Sequence, residues 1–158
     1  MYLQSKLISI KNILILFIVF FNTPSILSDE KNYFKSLKYN MVNIRQGPSK
    51  DYPVKFTIKK KYLPVKVLDN YENFRKIIDI KNNSGWIHTS QLSNKKTAQN
   101  IKENSILLSK PKIYSKPIAK LESGKLVIIK KCKDNWCKIR VNNFLGWIKK
   151  DNLWGSIN

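Results

Sequence analysis

The sequence predicts an all-β protein, in which two small β-barrels follow one another after an N-terminal export signal. The chain repeats itself: residues 73–77 and 85–87 return as 135–139 and 146–148, each time an aromatic-led basic-apolar stretch and then Gly-Trp-Ile. The Gly-Trp-Ile elements lie 61 residues apart and the aromatic-led elements 62 apart, so the copies differ by one residue between them. After the signal, the chain offers short runs rich in Val, Ile, Tyr and Phe, separated by Gly, Pro, Asn and Asp, which is typical of short strands joined by turns.

Residues 1–28 carry the three parts of a secretory signal in order. Two lysines give a positive start, and the nine-residue apolar run at 13–21 is shorter than the roughly 20 residues that a spanning helix needs. Small residues follow, which places cleavage after Ser25 or after Ser28. We therefore expect an exported protein, periplasmic or extracellular. The alternative is an inner-membrane protein held by an uncleaved signal.

The charge of the chain is strongly positive. The net charge is +20, and removing residues 1–28, with two lysines and no acid, leaves +18. Such a field attracts anionic polymers and lipid head groups, so a polyanion or membrane-surface binder is an alternative function. The 27 Lys, 17 Asn and 21 Ile are equally what an adenine- and thymine-rich coding sequence gives. Since Arg, the residue that phosphate favours, occurs only three times, nucleic acid is the least favoured anionic partner.

The first module is predicted to span residues 36–93. Its strands are expected near 41–45, 53–58, 64–69, 74–80 and 85–88. Asn, Asp, Ser and Gly between these runs favour turns. A module of this size is near the lower limit for a single apolar core, and closing the sheet into a barrel hides its edges. The expected core residues are Val42, Ile44, Val54, Val65, Val67 and Ile77.

The second module is predicted to span residues 104–155, after a linker at 94–103 whose first part has no large apolar residue. Its strands are expected near 105–108, 118–121, 125–131, 137–141 and 146–148. The expected core residues are Leu107, Ile118, Val127, Ile129 and Ile139.

Both cysteines, Cys132 and Cys137, lie in the second module. In an exported chain an even pair predicts a disulfide, and the alternative is two reduced thiols. Four intervening residues can place the cysteines opposite each other at the mouth of a hairpin. Because the closed loop is short, the bridge would stabilise the fold by only about 2 kcal/mol.

The sequence lacks the residue sets that catalysis needs. His88 is the single histidine and belongs to the other module from the cysteines. The sequence shows no Gly-rich phosphate loop, paired-carboxylate motif or Ser-His-Asp pattern. A Cys-x4-Cys pair without nearby His is a poor zinc site. We therefore predict a protein that is not an enzyme and that needs no metal or cofactor.

Aromatic residues recur near the predicted turns, where a small barrel could expose them to a ligand. Aromatic grooves hold extended peptides, and Arg can clamp a carboxylate. For Trp86 and Trp147 the alternative is a partly buried plug of the barrel, and for Arg45 it is an ion pair with Asp51 or Asp69. The candidate ligand-binding residues are Arg45, Tyr52, Phe74, Trp86, Trp136 and Trp147.

Taken in order, these elements resemble the bacterial SH3-like domain family. The resemblance rests on residues 42–49, 51–54, 63–67, 73–77 and 85–88, and on 146–155 in the second module. It implies two tandem SH3-like β-barrels that act as a non-catalytic binding module. The implied partner is a peptidoglycan peptide or an envelope protein. A third function, a membrane-anchored sensory or structural ectodomain, stays open beside the polyanion binder.

The two copies depart from the family pattern unequally. Phe74 stands where the family usually has Trp. In the second module Leu108 replaces Arg45, and Lys110 replaces Gly47 before the shared proline. If Arg and Gly shape a ligand-contacting loop, the first module is the better candidate for a ligand site.

Overall fold

Each half of the chain forms a seven-stranded antiparallel sheet in the computed structural model, which describes residues 32–157. The first sheet comprises β1 (Tyr33–Leu37), β2 (Val42–Arg45), β3 (Val54–Ile58), β4 (Pro64–Tyr71), β5 (Phe74–Ile78), β6 (Ser84–His88) and β7 (Leu92–Ser93). The second comprises β8 (Thr97–Asn100), β9 (Ser105–Leu108), β10 (Pro117–Leu121), β11 (Leu126–Lys133), β12 (Trp136–Val141), β13 (Phe144–Lys149) and β14 (Leu153–Gly155). The predicted export signal lies outside the described residues.

The fold is all-β, as predicted. Within residues 32–157 the only helical elements are two three-residue 3-10 turns, Thr89–Gln91 and Lys150–Asn152, each just before the last strand of its sheet. No helix in this part of the chain is long and apolar enough to cross a lipid bilayer.

The two sheets have the same topology. The strand order is β3-β2-β6-β5-β4-β1-β7 in the first and β10-β9-β13-β12-β11-β8-β14 in the second. Five residues separate the paired Ile78 and Ser84, whereas four separate the equivalent pair Arg140 and Leu145. This turn accounts for the one-residue difference between the two copies of the sequence repeat.

The sheets are not closed barrels, which corrects the expected closure. The end strands β3 and β7 are not neighbours in the first sheet, and the same is true of β10 and β14. Phe56 of β3 and Leu92 of β7 nevertheless pack against the same core cluster, so the sheet wraps around its core without closing. Strand β7 is only two residues long and pairs with β1. It is therefore too short to form a second row of backbone hydrogen bonds with β3.

The ten predicted strands are present, and four further strands were not predicted. Of these four, β1 and β8 begin the two sheets, whereas β7 and β14 follow the 3-10 turns. The segment 94–103, expected as a linker, instead contains β8, and all four of its residues are buried. The reason is the pairing of β8 with both β11 and β14, which covers a polar sequence without large apolar side chains.

Each module has its own apolar core, and most of the expected core residues are in it. The first cluster is Leu37, Val42, Ile44, Val65, Val67, Ile77 and Ile87. The second contains Ala98, Leu107, Leu121, Val127, Ile129, Cys137, Ile139, Val141, Ile148 and Leu153. Two expectations are wrong, since Val54 is 42% and Ile118 is 36% exposed. Both residues adjoin a register shift, where one extra residue turns the following side chains to the other face.

Candidate functional site

The Gly-Trp-Ile element has the same geometry in both modules. Gly85 lies so close to β2 that a Cβ there would be 2.8 Å from the Arg45 carbonyl oxygen, and at Gly146 it would be 2.8 Å from that of Leu108. The following Ile is fully buried in the core. Because side chains alternate along a strand, the intervening Trp projects from the outer face of the sheet. The partly exposed Trp86 and Trp147 therefore lie outside the core clusters rather than plugging them.

Arg45, Tyr52 and Trp86 come together at one end of the first sheet, and we name this group the Arg45 corner. Arg45 and Trp86 are direct cross-strand partners on β2 and β6. The Arg45 Nη1 donates a 2.7 Å hydrogen bond to the carbonyl oxygen of Tyr52. The guanidinium is thus fixed by a neutral carbonyl, and its remaining N–H donors are available to a ligand carboxylate.

The loop at 46–53 that carries Tyr52 is well fixed. The backbone N–H of Gln46 donates to the carbonyl of Pro53 at 3.1 Å, which closes the base of the loop. The Ser49 hydroxyl donates to the Asp51 carboxylate at 2.7 Å, so Asp51 has a partner within the loop. The Tyr52 ring packs on Gly47, where an added Cβ would lie 2.5 Å from ring carbons. Tyr52 remains 47% exposed above this support.

Phe74 does not belong to the Arg45 corner, contrary to the sequence-based expectation. It is only 8% exposed and packs edge-to-face on the His88 ring, with centroids 5.2 Å apart. Phe74 and His88 are direct partners across β5 and β6, one row beyond Trp86. The His88 ring therefore covers Phe74, which supports the sheet and offers little surface to a ligand.

The second module has no copy of the Arg45 corner. Leu108 takes the place of Arg45 opposite Trp147, and it is buried. The equivalent loop, 109–116, is closed by a 2.9 Å hydrogen bond from the Ser109 N–H to the Lys116 carbonyl. Tyr114 at its tip is fully exposed. The loop of the second module thus has the closing backbone hydrogen bond, but it lacks the guanidinium that bonds the loop carbonyl in the first module.

Trp136 and Trp147 instead have lysines as their neighbours on the adjacent strands. Cross-strand pairing places Lys133, Trp136 and Lys149 in one row across β11, β12 and β13. It places Lys131, Lys138 and Trp147 in the next row. The Lys131 ammonium lies 5.7 Å from the centre of the Trp147 ring. We name this surface the basic face: Lys131, Lys133, Trp136, Lys138, Trp147 and Lys149.

The predicted disulfide is confirmed. Cys132 and Cys137 are bonded, with Cα atoms 4.0 Å apart, and are direct partners across β11 and β12. Cys137 is fully buried in the core cluster, and Cys132 packs against that cluster. The bridge therefore lies on the core side of the hairpin, directly beneath the basic face. The equivalent pair in the first sheet is Asn70 and Arg75.

Positive charge also affects an aromatic residue near the junction of the modules. The ammonium groups of Lys61 and Lys95 lower the pKa of Tyr62, and Lys95 lies 4.0 Å from the centre of its ring. At another contact between the modules, Phe34 of β1 meets Trp154 of β14 edge-to-face at 4.9 Å. No group of three or more His, Cys, Asp or Glu suited to a metal ion occurs in residues 32–157.

Comparison with known proteins identifies the family. The bacterial SH3 domain matches residues 38–94 and again 102–155, so the chain belongs to this family and contains the domain twice. Among solved structures, NlpC2 from Trichomonas vaginalis is 18% identical (TM-score 0.36, covering 80% of this chain and 49% of its own). NlpC1 from the same organism is 20% identical (TM-score 0.37, covering 83% and 50%). The chain thus spans about half the length of these two proteins. No curated protein matches it.

Sequence reasoning named the tryptophans but missed the lysines around them. The structure brings Arg45, Tyr52 and Trp86 together, separates Phe74 from them, and places Trp136 and Trp147 on a different, cationic surface. The signal for that surface was present as Lys131 and Lys133 two positions apart in β11 and as Lys138 two positions after Trp136 in β12. Without the register, these lysines could not be told from the 27 spread along the chain.

Proposed function

We propose that this protein is an exported, non-catalytic binding module of the cell envelope, which recognises a peptidoglycan peptide or a partner protein through the Arg45 corner. Membership of the bacterial SH3 domain family supports a binding role. The single observation that carries the proposal is the Arg45 guanidinium, held by the Tyr52 carbonyl beside a half-exposed tyrosine and a partly exposed tryptophan.

The chemistry of the Arg45 corner suits an extended peptide that carries a carboxylate. The free N–H donors of Arg45 bind the carboxylate, and the rings of Tyr52 and Trp86 bury apolar parts of the peptide. Since Gly47 and the short hydrogen bonds of the loop fix these groups beforehand, little conformational entropy is lost on binding.

Retention on purified peptidoglycan at low and at moderate salt tests the proposal. We expect the protein to be retained at both, because a fixed guanidinium with two rings does not depend on long-range charge alone. Arg45→Gln should reduce retention about tenfold. Arg75→Gln is the matched control: it removes the same charge from the same module, at a side chain that bonds the carbonyls of Glu72 and Phe74. Equal loss with the two variants would contradict the proposed site.

Export is tested separately by the mass of the mature chain. A mature N-terminus at Asp29 or Ile26 is expected, in accord with the apolar run and small residues of the first 28 residues. An intact N-terminus in the membrane fraction would favour the anchored ectodomain instead.

A further inference from the structure

The basic face carries a pair of like charges that folding alone does not favour. Lys131 and Lys138 are direct cross-strand partners on β11 and β12. In the first sheet the equivalent pair is Asp69 and Lys76, of opposite charge. Like charges directly opposite each other destabilise a sheet, whereas opposite charges stabilise it. The second module thus has a repulsive pair at the position where its sister module has an attractive one.

The positions around this lysine pair also differ in charge between the two modules. Trp136 lies between Lys133 and Lys149, whereas the equivalent Phe74 lies between Tyr71 and His88. Neither row of the basic face contains an acidic residue, and Asp134 lies beyond it in the hairpin turn. Arg140 adds a further cation one row away on β12. The surface is therefore positively charged across both rows and complementary to an anionic ligand.

The strands that carry the basic face are held by a disulfide and by the core. The Cys132–Cys137 disulfide joins β11 to β12 directly beneath this face, and Cys137 and Ile139 anchor β12 in the core. Across β12 and β13, Trp136 pairs with Lys149 and Lys138 pairs with Trp147. Aromatic rings and ammonium groups therefore alternate both across and along these two strands. Neighbouring residue positions on this face lie about 4.8 Å apart across the strands and about 6.7 Å apart along them. Both tryptophans are partly buried on this outer face.

We propose that the basic face binds an acidic polysaccharide, with pyranose rings lying on Trp136 and Trp147 and their carboxylates on the flanking lysines. An array of alternating apolar and cationic groups matches a polymer that alternates apolar ring faces with anionic substituents. A bilayer fits less well, because Trp136 and Trp147 are partly buried and so have less apolar surface to insert into it. Nucleic acid fits less well, because the four cations of the basic face are lysines, whereas phosphate favours arginine. This site is separate from the Arg45 corner, and its ligand belongs to a different chemical class.

Fluorescence anisotropy of labelled polygalacturonate, with the purified disulfide-bonded protein, tests the proposal. Lys131→Asp should weaken binding about tenfold. The variant should fold, because it places Asp opposite Lys in the second sheet, as Asp69 lies opposite Lys76 in the first. Lys120→Asp is the matched control, with the same change of charge in the same module but on β10, and should change binding less than about twofold.

Two further arms identify the polymer. Trp136→Leu leaves the charge unchanged, so it should weaken polygalacturonate about fivefold and leave binding of polyphosphate, which has no sugar rings, unchanged. Single-stranded oligothymidylate should bind more weakly than polygalacturonate of equal charge. The proposal is overturned by equal effects of Lys131→Asp and Lys120→Asp, by no effect of Trp136→Leu, or by tighter binding of oligothymidylate.

Discussion

Single residues explain why the Gly-Trp-Ile element occurs twice. Its glycine allows β6 to cross close to β2, and β13 close to β9, while its isoleucine fills the core. Only the tryptophan between them faces outward, and its surroundings differ completely in the two modules. The tryptophan opposes Arg45 in one module and Leu108 in the other. The repeated element therefore builds the fold, and its neighbours decide what the tryptophan contacts.

Gly85→Ala and Gly146→Ala should each destabilise the protein by about 2 kcal/mol, because the new methyl group overlaps a backbone carbonyl and a core side chain. Urea unfolding measures the effect. The control is Gly124→Ala at a turn with φ +77°, where no atom lies within 4 Å. Its cost should be about 1 kcal/mol, from the backbone conformation alone. A larger loss at Gly124 than at Gly85 would show that close strand approach is not what these glycines provide.

Tyr62 should ionise at lower pH than an ordinary tyrosine, because the positive charges of Lys61 and Lys95 favour its phenolate. With a folded pKa below the usual value of about 10, the phenolate adds stability above that usual value. This contribution is lost as the pH falls through the lowered pKa. Phenolate absorbance in an alkaline titration measures the pKa, and Tyr62→Phe identifies the signal. Lys95→Gln should raise the pKa again, and an unchanged titration curve would contradict the assigned cause.

Among the elements, the hairpins β4–β5 and β11–β12 share one register but carry different chemistry. Glu72 and Asp134 have the same positive-φ conformation at the two hairpin turns, and the paired rows coincide. One hairpin has an acid–base pair and a buried phenylalanine. The other has paired lysines, a tryptophan and a disulfide. Because the bridge lies on the core face, it holds the strands together under the repelling lysines.

Exchanging these charges should change the stability of the two modules in opposite directions. Lys131→Asp should raise the free energy of unfolding by about 0.5 kcal/mol, and Asp69→Lys should lower it by about as much, since both sites are exposed. Urea unfolding at low salt, repeated at high salt, measures both changes. The differences should shrink at high salt. Destabilisation by Lys131→Asp at low salt would show that the lysine pair does not repel in the folded sheet.

At the scale of the whole molecule, the sequence predicted the tandem architecture, the ten central strands, most of the core and the disulfide. It did not predict β1, β7, β8 or β14, because these strands are short or contain polar residues and are defined by their pairing rather than by apolar periodicity. Val54 and Ile118 were misassigned because a register shift is not visible in a pattern of alternating residues. The burial of Phe74 was not predicted, because the ring that covers it comes from His88 on the next strand.

The candidate surfaces required the register as well as the residue types. Arg45 and Trp86 are 41 positions apart, and Lys131 and Trp147 are 16 apart, so their proximity follows only from the strand pairing. The result is one fold used twice with unequal outer faces. The first face has a fixed guanidinium beside aromatic rings, whereas the second alternates tryptophan with lysine.

Binding of two variants to two ligands tests most directly whether the outer faces of the two modules bind different ligands. Arg45→Gln and Lys131→Asp are each assayed for retention on purified peptidoglycan at moderate salt and for affinity to polygalacturonate. We predict that Arg45→Gln loses peptidoglycan and keeps polygalacturonate, and that Lys131→Asp does the reverse, with about tenfold losses in each case. Parallel losses of both ligands in both variants would show that the two modules present one common cationic surface, which would contradict the account.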